Sequence, residues 1–214
     1  MNTQAQFPLA DHFTDPHQQV DAGKLGMWLF LATEILLFGG LFVAYILFHN
    51  LHPELFKSAH RFLNVTLGAT NTVVLLFSSL TVVLAIHAAQ KNKIKWVIAN
   101  LVITIVCACV FLVVKYFEYS HKIHAGLLPG YHFTNGVLPS PDETHIFFGL
   151  YFMMTGLHGL HVLIGMVVLT WLLVRTCKGH FGPQYYAPLE IGGLYWHLVD
   201  MIWIFLFPLL YLIR

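Results

Sequence analysis

One acidic residue, Glu34, interrupts an apolar run that extends from Leu25 to Phe48. An ionised carboxylate at the centre of a membrane helix costs about 2.5 to 3.5 kcal/mol on insertion scales, so it usually faces a bundle interior or a wet cavity. Two interpretations fit: a carboxylate linked to proton movement or to a lipid cleft, and a protonated acid that only supports the structure through a hydrogen bond. The residues alone leave both open. If this run is helical, the same face continues through Leu37, Phe38, Leu41 and Tyr45.

Three further pairs of ionisable residues are spaced one helical turn apart within or at the ends of apolar runs. They are Lys115 with Glu118, His158 with His161 in "HGLHV", and His197 with Asp200 in "YWHLVD". Residues three apart share a helix face, so the oppositely charged pair is expected to form an ion pair. His197 and Asp200 could equally form a hydrogen bond with each other, bond to a neighbouring helix or bind a ligand.

The histidines do not follow a known metal-binding pattern. Three His-x-x-His sequences occur, at His49 with His52, His121 with His124, and His158 with His161. Membrane di-iron enzymes use HxxxH and HxxHH spacings, zinc proteases use HExxH, and bundle di-metal sites use paired Glu-x-x-His units. None of these occurs in the sequence, and neither does a phosphate-binding loop or a dinucleotide fingerprint. We therefore expect no catalytic or metal residues and no cofactor within this chain.

The composition places the chain in a membrane. Of its 214 residues, 57% are hydrophobic and only 10% are charged, and the mean hydropathy is +0.70. Soluble domains carry about 25% charged residues. A net charge of +1 with neutral histidines gives no basis for nucleic-acid binding. The three cysteines, Cys107, Cys109 and Cys177, show no disulfide framework.

Five apolar segments are long enough to cross a bilayer, which takes about 20 residues. They cover residues 25–48, 66–89, 94–117, 146–174 and 191–213. The alternation expected of barrel strands is absent, so the sequence predicts an all-α integral membrane protein with five transmembrane helices. Residues 1–24 form a polar segment without the features of a signal peptide, followed by a single transmembrane domain over 25–214. Small and hydroxylic residues of the second span, and glycines of the fourth, predict close helix packing.

The distribution of lysine and arginine between the connections predicts the orientation. The side that carries the N-terminus holds six: Lys24, Lys91, Lys93, Lys95, Arg175 and Lys178. The opposite side holds four: Lys57, Arg61, Lys122 and Arg214. The N-terminus is therefore expected in the cytoplasm and the C-terminus outside.

Five stretches, taken in order, resemble the signature stretches of subunit III of haem-copper oxidases. They are "GMWLFLATEILLFGGLFVAY", "LNVTLGATNTVVLLFSSLTVVLAIHAA", "FLVVKYFEY", "FFGLYFMMTGLHGLHVLIGM" and "YWHLVDMIWIFLFPLLY". Any one would be weak, but the ordered set covers nearly the whole chain from Gly26 to Tyr211. The chain is most similar to short bacterial members with five helices, which lack the first two helices of longer members. Lys115 departs from the family pattern, where many members have glutamine.

The resemblance implies a subunit of the bacterial cytoplasmic (inner) membrane that lies directly beside catalytic subunit I. Haems and copper would reside on partner subunits, with subunit II, a small subunit IV and a larger respiratory supercomplex as further partners. Bound phospholipid and contacts with membrane lipids are expected, and the full lipid cleft belongs to longer members, which carry two further helices. Glu34 aligns with the family's carbodiimide-reactive intramembrane glutamate, which is associated with proton uptake and with the lipid cleft. Interhelical polar ties are implied at Glu118, His158, His161, His197 and Asp200.

The resulting expectation is a non-redox subunit of a proton-pumping aerobic terminal oxidase. It would support the stability and proton uptake of the catalytic subunit while oxygen is reduced to water. The glutamate of "TEILLF" together with "YWHLVD" favours cytochrome c as electron donor, because some quinol oxidase members carry aspartate at the Glu34 position. A quinol oxidase subunit III, a stand-alone small transporter or proton channel, and a membrane metalloenzyme remain as alternatives.

Overall fold

The computed structural model describes residues 13–60, 62–128, 141–183 and 185–212, with the backbone alone for 141–145. Six α-helices follow one another: α1 Pro16–Leu51, α2 Pro53–His60, α3 Val65–Gln90, α4 Ile94–His124, α5 Pro141–Cys177 and α6 Ala187–Phe207. A short π-helical segment, Pro208–Leu212, continues α6. All except α2 are long and apolar enough to cross a membrane, and no strand occurs within these ranges. The predicted five-span helical membrane protein is confirmed.

Helix α1 begins earlier than the sequence predicted. Asp15 caps it, with the carboxylate Oδ1 accepting a hydrogen bond from the His17 amide at 3.2 Å, and Pro16 occupies the first helical position. Proline is favoured there because its missing N–H would have no helical partner. Residues 16–24 of the predicted polar segment therefore belong to the helix, while residues 1–12 lie outside the described residues. With 36 residues, α1 is about 54 Å long and extends beyond the roughly 30 Å hydrocarbon layer.

Helix α2 lies in the connection between the first and second predicted spans. It is amphipathic: Leu55, Phe56 and Ala59 are buried, while Glu54 and Lys57 form an exposed ion pair at 3.0 Å. Its apolar face packs edge-to-face on the aromatic rings of α1 and α5. The apolar residues spaced three and four apart were the available signal, but the segment is too short and too polar to resemble a span.

Helix α4 extends seven residues past its predicted end at 117, as far as His124. Lys122 was predicted to lie in an outer loop, but it belongs to this helix and its side chain is only 3% exposed. The correction has a simple cause: Lys122 lies one turn after Glu118 and its ammonium group bonds to that carboxylate. At the other end, a tight turn joins α3 to α4, and Asn92 adopts φ 55° there, a conformation that asparagine tolerates better than most residues.

Helix α6 is the most buried of the five spanning helices and α1 is the least buried. Two glycines lie where α6 packs closely against α5. A Cβ at Gly165 would lie 2.8 Å from the Trp196 ring, and one at Gly192 would lie 2.5 Å from Leu172. The other glycines that the sequence assigned to packing in α5 behave differently: Gly149 and Gly159 have open space where a Cβ would stand.

Candidate functional site

Glu34 forms a pair with a histidine of another helix. Its Oε2 lies 2.9 Å from Nε2 of His161, which joins α1 to α5 across 127 residues of sequence. The Phe38 ring meets the imidazole edge-on at 5.4 Å, and the Tyr195 hydroxyl donates a hydrogen bond to the His161 carbonyl at 3.0 Å. The side chains of Glu34 and His161 are 14% and 9% exposed. The pair therefore lies just inside the edge of the bundle, on the side of its least buried helix.

The second ring nitrogen of His161 determines how the pair carries protons. Nδ1 lies 2.8 Å from the Leu157 carbonyl oxygen, which can only accept, so Nδ1 carries a hydrogen. Nε2 then either accepts a hydrogen bond from protonated Glu34 or donates one to the carboxylate. In both forms the pair holds one shared proton and is neutral overall. This neutrality explains how Glu34 is accommodated within an apolar run, since an isolated charge at this depth would be costly.

A second polar cluster lies where α4, α5 and the segment after α6 meet. The Glu118 carboxylate accepts hydrogen bonds from Lys115 at 2.8 Å, from Lys122 at 2.7 Å and from the Tyr211 hydroxyl at 2.6 Å. Lys115 also donates to Tyr211, and Lys122 donates to Tyr151 at 3.0 Å. The structure thus contains the predicted Lys115–Glu118 pair and enlarges it. This group of five side chains is called the Glu118 cluster below.

His158 makes a different contact from the one that the resemblance implied. Its side chain is fully buried between the rings of Phe111, at 5.4 Å, and Trp203, at 5.2 Å. Neither ring nitrogen has a hydrogen-bond partner among the described residues. His158 therefore packs as an aromatic ring between α4 and α6, and in this structure it is not a hydrogen-bonded tie.

His197 and Asp200 do not satisfy each other, although they lie one turn apart. The Ser79 hydroxyl of α3 lies 2.6 Å from Nδ1 of His197, so His197 is tied to another helix. The carboxyl oxygens of Asp200 are buried and have no hydrogen-bond partner within the described part of the chain. Ser78, beside it on α3, donates to the Leu75 carbonyl at 2.7 Å and accepts from Trp196 instead.

The site residues named from sequence therefore separate into distinct places. Glu34 and His161 lie at the α1–α5 contact, Glu118 lies at the end of α4, and the other three lie around α6. In the described ranges, no three histidine, cysteine, aspartate or glutamate side chains are grouped as a metal site would require. What the arrangement can do chemically is hold a proton at the Glu34–His161 pair and fix helices to one another.

Sequence reasoning missed Lys122, Tyr151 and Tyr211, which belong to the Glu118 cluster. The spacing of four residues from Glu118 to Lys122 was an available signal for an ion pair on one helix face. It was overlooked because the apolar run ends at 117. The two tyrosines come from α5 and from the π-helical segment, and no local pattern predicts that they meet α4.

The sequence profile of the family described as cytochrome c oxidase subunit III matches residues 10–213 of the chain. The chain belongs to this family. Five helices that are long and apolar enough to cross a membrane agree with this assignment. Membership of this family also explains why the five sequence stretches resemble its signature stretches.

Individual subunit III relatives are similar along nearly the whole chain. Cytochrome c oxidase subunit 3 of Thermostichus vulcanus is 32% identical over 92% of this chain and 90% of its own length. Quinol oxidase subunit 3 of Bacillus subtilis is also 32% identical, over 91% of this chain and 90% of its own. The haem-copper oxidase subunit I+III of Aeropyrum pernix is 29% identical over 95% of this chain, which matches 24% of that longer protein. By its name, the last relative combines subunits I and III of a haem-copper oxidase. Together with the family match, these relatives show that the chain is a member of a family of haem-copper oxidase subunits.

Proposed function

We propose that this chain supports proton uptake and stability in the catalytic subunit of a proton-pumping terminal oxidase that reduces oxygen with electrons from cytochrome c. The observation that carries the proposal is the Glu34–His161 pair, which holds one shared proton inside a membrane span. A group of this kind can exchange a proton with a neighbouring pathway, and it carries one negative charge until the proton is replaced. The chain would influence proton supply through this pair, while the redox centres reside on partner subunits.

Partners and location form part of the same proposal. Subunit I would contact this chain directly, with subunit II and a small subunit IV in the same complex and a respiratory supercomplex around it. The least buried helix, α1, carries Glu34 and leaves most of its surface free for a neighbour or lipid. The bacterial cytoplasmic membrane is the expected location, with the N-terminus inside.

The nature of the electron donor needs a direct assay, because cytochrome c oxidase and quinol oxidase relatives are equally identical at 32%. The glutamate at position 34 favours cytochrome c. The experiment is to tag the chain, extract it in mild detergent from its own membranes, and record an optical spectrum and oxygen uptake with each donor. We expect a haem spectrum and oxygen consumption with cytochrome c. Consumption with quinol alone would assign the quinol type, and a colourless protein that purifies alone would contradict the proposal.

A further inference from the structure

A cavity of about 550 Å³ opens beside the Glu118 cluster, at the end of the bundle where α4 terminates. It lies between the last turns of α4 and the connection from α2 to α3. Its charged and polar lining includes Glu118, His121 and Lys122, and its apolar walls include Phe62, Leu67 and Phe117. None of its described lining residues belongs to α1, so it is separate from the Glu34–His161 pair. Its volume lies within the range of about 300 to 1,000 Å³ that is typical of small-ligand sites.

The charges beside this cavity do not balance. Lys115 and Lys122 both bond to one carboxylate, that of Glu118, and all three side chains are at least nine-tenths buried. Among the described side chains, no second acid pairs with these lysines. With two ammonium groups and one carboxylate, the formal charge is +1. A buried charge without a counter-charge is strongly unfavourable, so the surplus on the described side chains favours a negative charge beside them.

The rest of the cavity lining is also suited to an anion. His121 lies exposed at the rim, on the same face of α4 as Glu118. The N-terminus of α3 faces the cavity at Val65 and Leu67, and the positive end of a helix dipole favours negative charge. Asn64 already caps the Thr66 and Leu67 amides, so the helix end contributes mainly through its field.

The depth of the cavity indicates what kind of anion can reach it. Glu118 and Lys122 come directly after the apolar part of α4, at the edge of the hydrocarbon layer, where phospholipid head groups begin. Phe117 and Phe62 flank the opening with side chains that are 65% and 36% exposed. An acyl chain could lie along these rings while a phosphate approaches Lys122 and His121. A lysine beside apolar helix surface at this level can bind a lipid phosphate through a charge-assisted hydrogen bond while the acyl chain follows the helix.

We propose that the cavity between the end of α4 and the α2–α3 connection binds the phosphate head group of an anionic phospholipid. The single negative charge of the phosphodiester neutralises the surplus positive charge of the Glu118 cluster. A zwitterionic lipid serves less well, because its own ammonium group competes for the phosphate. The site would thereby stabilise the junction of α3, α4 and the segment that follows α6.

The test compares two substitutions that change charge equally at the same end of α4. His121→Glu adds a negative charge at the rim of the cavity without altering Lys115, Glu118 or Lys122. His124→Glu makes the same change three residues further on, at an exposed position that does not line the cavity. Whatever assembly copurifies with the tagged chain is stripped of loose lipid in detergent. It is then titrated with phosphatidylglycerol, and bound lipids are counted by native mass spectrometry.

We expect His121→Glu to bind one phosphatidylglycerol fewer than the unaltered protein at lipid concentrations that saturate the unaltered site, while His124→Glu binds the same number. Equal binding by the two variants, or equal filling by phosphatidylcholine, would overturn the proposal. A second titration adds inorganic phosphate to the lipid-bound protein, to distinguish a lipid head group from free phosphate. Displacement of the lipid by millimolar phosphate would overturn the lipid assignment and show that the site binds a soluble anion. The readout does not depend on haem content, so its outcome is independent of the proposed oxidase function.

Discussion

Glu34 and His161 act as one unit, because the proton that they share leaves the pair neutral in either form. The Nδ1–H of His161 is held by the Leu157 carbonyl, so only the Nε2 side remains for exchange with Glu34. A proton that arrives at or leaves this pair therefore does so at the Glu34 carboxyl group or at Nε2, and not at Nδ1. The side chain of Glu34 keeps 14% of its surface accessible, which gives that contact a route to the edge of the bundle.

Replacing Glu34 distinguishes a proton-linked acid from a structural one. Glu34→Ala should leave haem content near normal but shorten the active lifetime of the oxidase during turnover, measured as oxygen uptake over time. Glu34→Gln can still donate a hydrogen bond to Nε2 but cannot release a proton, so we expect it to resemble Glu34→Ala. Thr33→Ala is the control, since its hydroxyl bonds only to the Phe30 carbonyl of its own helix. A lifetime restored by glutamine would reduce Glu34 to a structural role.

The coupling between Glu34 and His161 can be measured by a double-mutant cycle. Either single change, Glu34→Leu or His161→Leu, leaves the other polar group partly buried and without its partner. We expect the double variant to lose about 1 to 3 kcal/mol less free energy of unfolding than the two single variants lose together. Unfolding in mixed micelles with increasing denaturing detergent provides the measurement. Strict additivity would show that the contact contributes nothing to folding.

The last turns of α4 form a junction that holds two other segments. Through Glu118, α4 is tied to the π-helical segment after α6, and through Lys122 it is tied to α5. Pro208 has no N–H for a regular helical bond, and the backbone widens into π-helical turns there. The hydroxyl of Tyr211, which follows in this segment, bonds to Glu118. Tyr211 therefore connects the π-helical segment to the Glu118 cluster.

Removing the acid from this junction should be costly. Glu118→Gln leaves two buried lysines without a carboxylate, and we expect a loss of about 3 to 5 kcal/mol, typical of a broken buried ion pair. Glu54→Gln breaks the exposed pair with Lys57 on α2 and should cost less than about 1 kcal/mol. Detergent-induced unfolding of the two variants checks the difference. A loss at Glu118 as small as that at Glu54 would mean that the lysines are compensated from elsewhere.

Helix packing depends on one glycine of α5 and is indifferent to another. Gly165→Ala would place a Cβ 2.8 Å from the Trp196 ring, so it should destabilise the bundle by about 1 to 3 kcal/mol. Gly159→Ala meets open space, and it should be neutral or slightly stabilising because alanine favours helices. Thermal stability of the purified variants tests this. The prediction is wrong if Gly159→Ala is the more harmful of the two.

The molecule as a whole is packed unevenly, with a dense contact of α6 with α3 and α5 and a lightly packed α1 at one side. Several of the buried polar side chains, such as His161, Thr104 and Lys122, bond to a neighbouring helix. The bundle therefore presents the exposed surface of α1, which carries Glu34, to its surroundings. This distribution agrees with a subunit that acts through contact with a neighbour.

The orientation of the bundle can be tested with two cysteine probes in a variant that lacks the native cysteines. One probe is Lys91→Cys, in the basic turn between α3 and α4. The other is Glu54→Cys, at an exposed position of α2 at the opposite end of the bundle. An excess of lysine and arginine near the N-terminal side predicts that this side is cytoplasmic. In intact cells an impermeant maleimide should label position 54 only, and position 91 should react after the membrane is opened. The reverse pattern would invert the proposed topology.

Local sequence determined the five spans, because a membrane helix satisfies its backbone hydrogen bonds within itself and needs only sufficient apolar length. The ordered stretches also predicted the family, and residue type alone marked Glu34 as unusual. Only the tertiary structure decided which groups meet: His161 with Glu34, Tyr211 and Lys122 with Glu118, and Ser79 with His197. The rotation of each helix about its axis sets these contacts, and it is determined by packing between segments far apart in the chain. For the same reason, the spacings of His158 and Asp200 in the sequence did not predict their surroundings, since neither side chain has a hydrogen-bond partner among the described residues.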